Sequence, residues 1–346
     1  MMREPPDATR SPRFTGPRTF ARLPHTTDLD GVHAAVYGMP WDGSTSFRSG
    51  ARFGPEAVRS MSAMLRTYNP VSRVQVFGAL STIDYGDAPT VPGYVEETLA
   101  RIESFVLPLV ERGVVGVGVG GDHSVTLAEL RAVSKVHGPL GLVHLDSHTD
   151  LWDAYFGKPL SHGTMFRRAI EEGVIDPSRV IQAGMHGPLY AASDEGFPRE
   201  LGVEIVPWIE LAALSGEEFA ERVRSRIGKA PAFLTFDVDF VDVAFCPGTG
   251  TPEVGGPTSF QALGYLRALT GLNFVGYDVV EVAPQYDPAQ ITALFAANVA
   301  FEMLSLIALS RVFLATRGLQ QSAHEQIERD HALRDVLAAA VLDRAV

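Results

Sequence analysis

The chain has 346 residues, 46% of them hydrophobic, enough for a substantial core in one large domain or two smaller ones. Its 29 basic and 41 acidic residues leave a net charge of −12, which argues against nucleic acid or an anionic membrane as main partner and suits a small cationic one. A single cysteine, Cys246, excludes an intrachain disulfide framework and fits a reducing cytoplasm.

Residues 1–30 read as an irregular arm whose opening, MMREPPDATRSPRFTGPRTF, is rich in Pro and Arg and lacks the apolar core of a secretory signal. No apolar stretch reaches about 18 residues, so no membrane span is expected. From residue 31 apolar, strand-like runs alternate with amphipathic ones. Strands are predicted at 31–39, 75–85, 113–120, 138–145, 179–186, 203–208, 232–240 and 273–282. Helices are predicted at 54–65, 94–112, 124–136, 162–173, 216–228 and 258–270. Continuous apolar strands separated by helices predict a mostly parallel sheet of about eight strands covered on both faces. No linker splits the pattern, so residues 31–312 read as one three-layer α/β/α domain. An eight-stranded barrel has the same alternation, and pattern alone does not separate the two. After residue 287 the chain reads as helix with Pro288 in its first turn. Residues 313–346 read as a helical, charged tail, either packed on a neighbouring subunit or solvated.

Three of the apolar runs end in polar clusters: Gly-Gly-Asp-His-Ser (120–124), Asp-Ser-His-Thr-Asp (146–150) and Asp-Val-Asp (237–239). Buried charge is costly unless it is paired or bound to a metal, so these carboxylates and imidazoles at the ends of core strands call for a cation. If the backbone stays extended, residues two apart share a face, and Asp146, His148 and Asp150 converge, as do Asp237 and Asp239. With His123 they make six ligands, more than one ion normally takes from protein. A mixed oxygen and imidazole set suits Mn, Fe, Ni or Zn rather than Ca or Mg, and two ions bridged by a carboxylate would use all six. Active sites of α/β folds lie beyond the carboxyl ends of the strands, where these residues fall.

Other residues carry weaker signals. The glycines of 116–121 lack the following Lys-Ser/Thr of a phosphate loop, and read instead as letting the backbone turn so that Asp122 and His123 face the site. Asp122 reads as a cap or a supporting partner, and His144 as a core histidine. His162, at a predicted helix start, has the pKa for a proton shuttle. Glu281 ends the last strand, where a carboxylate can hold a cationic group by a bidentate fork. Cys246 reads as a small packed residue.

Taken in order, the motifs resemble the ureohydrolases, the arginase and agmatinase family, and in particular its agmatinase-like branch. The resemblance runs from about residue 13 to about 312 through MPWDGSTSFRSGARFGPEAVR, GGDHSVTLAELRA, HLDSHTD, SHGTMFRRA, LTFDVDFVDVAFCPGTGTPEVGG and GYDVVEVAPQYD. It implies a three-layer α/β/α fold, trimers or hexamers, and two divalent ions, Mn or in some members Ni. His123, Asp146, Asp150 and Asp237 would hold one ion. Asp146, His148, Asp237 and Asp239 would hold the other. A shared hydroxide would attack the carbon of a guanidinium group, His162 would shuttle the proton, Glu281 would grip the nitrogens, and urea and an amine would leave. The chain departs from the family pattern at Ser147, His186, Phe240, Val243 and Cys246. They cluster near where substrate would lie, so agmatine, guanidino acids, guanidine itself and metformin-type alkylated biguanides all stand as substrates, and Trp41 with Phe240 leads to an expectation of a more apolar pocket that favours a short or alkylated one. Two further readings accompany this one: a one-zinc amide deacetylase on the related fold, and a non-catalytic subunit of a mixed oligomer with a paralogue.

Overall fold

The computed structural model describes residues 2–310. Eight strands form one sheet: β1 (Ala34–Met39), β4 (Thr82–Asp87), β5 (Val115–Gly120), β6 (Leu140–Leu145), β7 (Ile175–Ala183), β8 (Glu204–Val206), β9 (Ala232–Asp237) and β10 (Phe274–Val280). Their order is β4-β1-β5-β10-β9-β6-β7-β8, and each neighbouring pair is parallel. The short strands β2 (Tyr68–Asn69) and β3 (Val74–Gln75) make a separate antiparallel pair.

The period-two alternation of the strands sorts side chains into two cores. Ala34, Val36, Val117 and Val119 face one core, which the helices Gly54–Ser62, Gly216–Ile227, Ser259–Ala268 and Ile291–Leu309 cover. Ala35, Tyr37 and Leu142 face the other, under the helices Val95–Glu111, Val125–His137 and Met165–Glu171. The open, flanked sheet is the three-layer sandwich and not the barrel. Two of the helices start with capping boxes, Ser215 with Glu218 and Thr258 with Gln261, which satisfy backbone N–H groups at each helix start.

Several predicted elements move. The run 75–85 is no single strand: β3 ends at Gln75, a helical turn spans Val76–Ala79, and β4 starts at Thr82. The last helix begins at Ile291, so Pro288 stands ahead of it rather than in its first turn. That helix has 19 residues and is apolar enough to cross a membrane, contrary to the expectation from the raw sequence. It is instead a core helix, with 83% of its apolar window buried inside the fold. The arm before residue 31 is tied to the sheet where Phe20 is buried and its N–H donates to Asp84 Oδ2 at 2.7 Å. The predicted tail, 313–346, lies outside the described residues.

The glycines of β5 have two uses. Gly116 and Gly118 leave room for side chains, since a Cβ on Gly118 would come 2.4 Å from Glu129 Oε1 and 2.7 Å from Met39 Cε. Gly121 makes the turn: its φ is +33°, and a Cβ there would meet the backbone oxygens of Met39 at 2.4 Å and Trp41 at 2.5 Å. Gly121→Ala is therefore expected to cost about 1–3 kcal/mol, measured by urea denaturation, because backbone rather than a pliable side chain must give way.

Candidate metal centre

The four central strands of the sheet are β5, β10, β9 and β6, in that order. The turns at their carboxyl ends carry His123, Glu281, Asp237 with Asp239, and Asp146 to Asp150. The side chains converge through tight turns rather than along extended strands. Residues Val238–Phe240 form a 3-10 turn in which Asp237 Oδ1 accepts the Asp239 N–H at 2.8 Å. Asp146 Oδ1 likewise accepts the His148 N–H at 2.7 Å. Asp150 and Glu281 sit in the left-handed region, with φ of +51° and +66°. Such backbone costs non-glycine residues about 1–3 kcal/mol each and gathers at functional sites.

Two clusters result, and they share Asp146. His123 Nδ1 lies 3.1 Å from Asp146 Oδ2, 3.1 Å from Asp150 Oδ2 and 3.2 Å from Asp237 Oδ2. His148 Nδ1 lies 3.5 Å from Asp146 Oδ1 and 3.3 Å from Asp239 Oδ2. The other nitrogens of both rings face supporting groups. His123 Nε2 is 2.8 Å from Thr235 Oγ1, and His148 Nε2 is 3.4 Å from Glu253 Oε1. His144 is buried as expected of a core histidine, but its Nε2 reaches Asp146 Oδ2 at 2.7 Å, so it is also a partner of the first cluster. Asp122 accepts the Ser44 N–H at 2.8 Å and the Ser124 N–H at 3.0 Å, which fits a supporting role.

The charges are strongly perturbed. Burial alone would lower the His123 pKa, yet the close carboxylates of Asp146, Asp150 and Asp237 hold it well above the ordinary value. Burial, then the charges of Asp239 and Asp146, push Asp237 well up. Asp146 goes the other way: against the cost of burial, His144, His123 and His148 hold it well below the usual carboxylate range. His123 Nδ1 is buried with no hydrogen-bond partner while three carboxylate oxygens point at it. A donor set of this kind fits a divalent cation, and two ligand groups emerge: His123, His144, Asp146 and Asp150, and Asp146, His148 and Asp239.

Above the clusters opens a cavity of about 460 Å³. Its floor holds His148, Asp150, Asp237 and His162, and its walls are Ser46, Phe47, Trp152, Tyr155, Phe156, Tyr190, Thr251 and Glu253, among others. His162 Nδ1 donates to Glu281 Oε1 at 2.9 Å, and that oxygen also accepts the His123 N–H at 2.9 Å. The other oxygen, Glu281 Oε2, is buried and has no partner. Burial pulls the His162 pKa down, but the hydrogen bond and charge of Glu281, with Asp150 and Asp122, raise it to about 9.

The expected apolar pocket is placed wrongly by the sequence. Trp41 is buried and does not line the cavity; its indole N–H donates to Ser44 Oγ at 3.2 Å and braces the loop from below. Phe240 packs edge-to-face against Phe236 inside the core, ring centres 5.5 Å apart, and Cys246 is buried too. Ser147, by contrast, reaches the site, its hydroxyl donating to Asp239 Oδ1 at 2.7 Å. His186 bonds the carbonyl of Gly184 at 2.6 Å, and Val243 is half-buried; neither lines the cavity. The aromatic wall that is present, Trp152, Tyr155 and Tyr190, has ring centres 5.7 to 6.3 Å apart. The one signal for it in sequence is the aromatic run Trp152-Asp-Ala-Tyr-Phe directly after the Asp146–Asp150 segment.

The arginase-family sequence model matches residues 32–305. The chain belongs to the arginase family. It is 46% identical to a guanidinopropionase of Pseudomonas aeruginosa over 308 residues, 89% of this chain and 96% of that protein. It is 42% identical to a mitochondrial agmatinase of Gallus gallus over 308 residues, 88% of this chain and 89% of the other. The solved structure of a proclavaminate amidino hydrolase from Streptomyces clavuligerus matches with a TM-score of 0.84 at 38% identity, covering 87% of this chain and all of that one. As a member of this family, the chain joins the three-layer fold to relatives that carry hydrolase names.

Proposed function

We propose that this arginase-family chain is a two-metal hydrolase that cleaves a guanidino compound to urea and an amine. The observation that carries the reading is the pair of clusters sharing Asp146, with the orphaned His123 Nδ1 at the centre of one of them. In this reading His123, Asp146, Asp150 and Asp237 hold one ion and Asp146, His148, Asp237 and Asp239 the other, with Mn²⁺ first and Ni²⁺ second among candidates. Two such ions, when bound, make a shared water nucleophilic at neutral pH.

The remaining steps belong to side chains. Glu281 Oε2, buried and unpartnered, is a ready acceptor for guanidinium N–H groups and orients the carbon above the clusters. His162, held as the imidazolium at neutral pH, supplies the proton without which an amine leaves as an anion. The aromatic wall of Trp152, Tyr155 and Tyr190 borders the substrate space beside the clusters. Among the described residues the lining contains no lysine or arginine to neutralise a carboxylate tail, while Glu253 stands among the aromatics. An uncharged or cationic tail fits this wall better than an acidic one. A cytoplasmic homo-oligomer, trimer or hexamer, is part of the same proposal.

Metal removal tests it. A ligand bound only by the folded state adds about 2.7 kcal/mol of stability at a hundredfold excess over its Kd. Chelation should therefore lower the melting temperature by several degrees, and two equivalents of Mn²⁺ per chain should restore it, with elemental analysis counting two ions. An unchanged melting temperature with less than one ion per chain would refute the reading.

A further inference from the structure

The proton-carrying histidine has one ring nitrogen engaged and one turned toward the cavity side. His162 Nδ1 is committed to Glu281 at 2.9 Å. Transfer to a departing amine must therefore run through Nε2. That nitrogen is not open: the Ser46 N–H donates to it at 3.0 Å, and Ser46 Oγ lies 2.7 Å away. Ser46 in turn lines the cavity.

The loop that carries Ser46 is fixed from several sides. Asp122 accepts the Ser44 N–H at 2.8 Å, the Ser44 carbonyl accepts the His162 N–H at 3.1 Å and the Ser161 hydroxyl at 3.0 Å, and Trp41 lies beneath. The hydroxyl thus lies against the imidazole at the edge of the substrate space. A serine hydroxyl can both give and take a proton, and its hydrogen rotates to suit. When His162 is charged, Nε2–H donates to Oγ. When it is neutral, Oγ–H and the Ser46 amide donate to Nε2. The change of protonation state turns one O–H bond and releases the Ser46 amide from Nε2, where it donates only to the neutral ring.

Resting on the guanidino-hydrolase reading above, we propose that the Ser46 hydroxyl relays the proton between His162 Nε2 and the leaving amine. As the C–N bond breaks, the amine nitrogen keeps the electron pair and takes the Ser46 hydroxyl proton. The Nε2–H bond breaks in the same movement and its proton re-forms the Ser46 O–H. The products of the step are a neutral amine, an intact serine and a neutral imidazole, which regains its proton from water before the next turnover. No oxidant or co-reactant is needed.

The relay predicts a split that a packing role would not give. In Mn²⁺-loaded enzyme, Ser46→Ala should lower kcat about 100-fold. KM and the two bound ions per chain should stay within twofold of wild type. Ser46→Thr, which keeps the hydroxyl, should recover kcat to within about threefold, and Ser46→Gly should not. The dependence of kcat on the deuterium fraction of the solvent should be curved in wild type, with two protons in flight, and linear in Ser46→Ala. An Ala variant with kcat within twofold of wild type overturns the relay, and so does a Thr variant as slow as the Ala one. Failure of the wild-type enzyme to release urea from any guanidino compound overturns the functional reading itself and the relay with it.

Discussion

Asp146→Asn is expected to reduce urea release at least 1000-fold, a loss of about 4 kcal/mol of transition-state stabilisation. Asp146 reaches the histidines of both clusters, with Oδ2 at 3.1 Å from His123 and Oδ1 at 3.5 Å from His148. It also takes His144 at 2.7 Å. Asparagine keeps the shape but presents an amide group where a charged oxygen faced a cation. Bound metal should fall from two ions to one or fewer per chain while far-ultraviolet circular dichroism is unchanged. Full activity with two ions bound would show that Asp146 does not bridge the clusters. Full loss of helical signal would point to folding instead, because two buried imidazoles and the half-buried His148 would lose their shared partner.

Glu281→Gln is expected to lower kcat about 100- to 1000-fold and raise KM, with both metal ions retained. Glu281 touches neither cluster's oxygens. It bonds the His123 amide at 2.9 Å and His162 Nδ1 at 2.9 Å and leaves Oε2 for the guanidinium. Metal content therefore separates its role from that of Asp146. Its charge also governs the acid. His162 is raised to about 9 chiefly because Glu281 outweighs the effect of burial, so its acidic form is present below that value and lost as pH rises through it. In wild type kcat should fall on the alkaline side near pH 9. In Glu281→Gln the same fall should move to lower pH, and an unmoved limb would mean that another group supplies the proton.

What the sequence made legible follows a physical line. The metal candidates were readable because carboxylates and imidazoles at the ends of apolar strands are too costly to bury without a cation. Their residue types single them out as candidates, although the extended geometry assumed for them does not hold. Asp150 and Glu281 take left-handed backbone and Val238–Phe240 a 3-10 turn, none of which alternation along a strand can foresee. The layer order was readable from continuous apolar strands, whereas 75–85 failed because one apolar run hides a turn and half a strand. The pocket was the least legible part. Trp41 and Phe240 are close to the site in sequence but are drawn into the core, where large apolar side chains gain most. The wall is built by Trp152 and Tyr155 from one loop and Tyr190 from another, and only the fold brings them within 6.3 Å of one another. Ser46 has no signal beyond its loop; its meaning comes from the 2.7 Å to His162.

The most direct test is the product balance of the Mn²⁺-loaded chain on guanidino compounds of matched length with cationic, neutral and acidic tails, followed by mass spectrometry. The account predicts one urea and one amine for each substrate consumed, fastest with the uncharged or cationic tails. Ammonia with a ureido product, or no turnover with two ions bound, would contradict it.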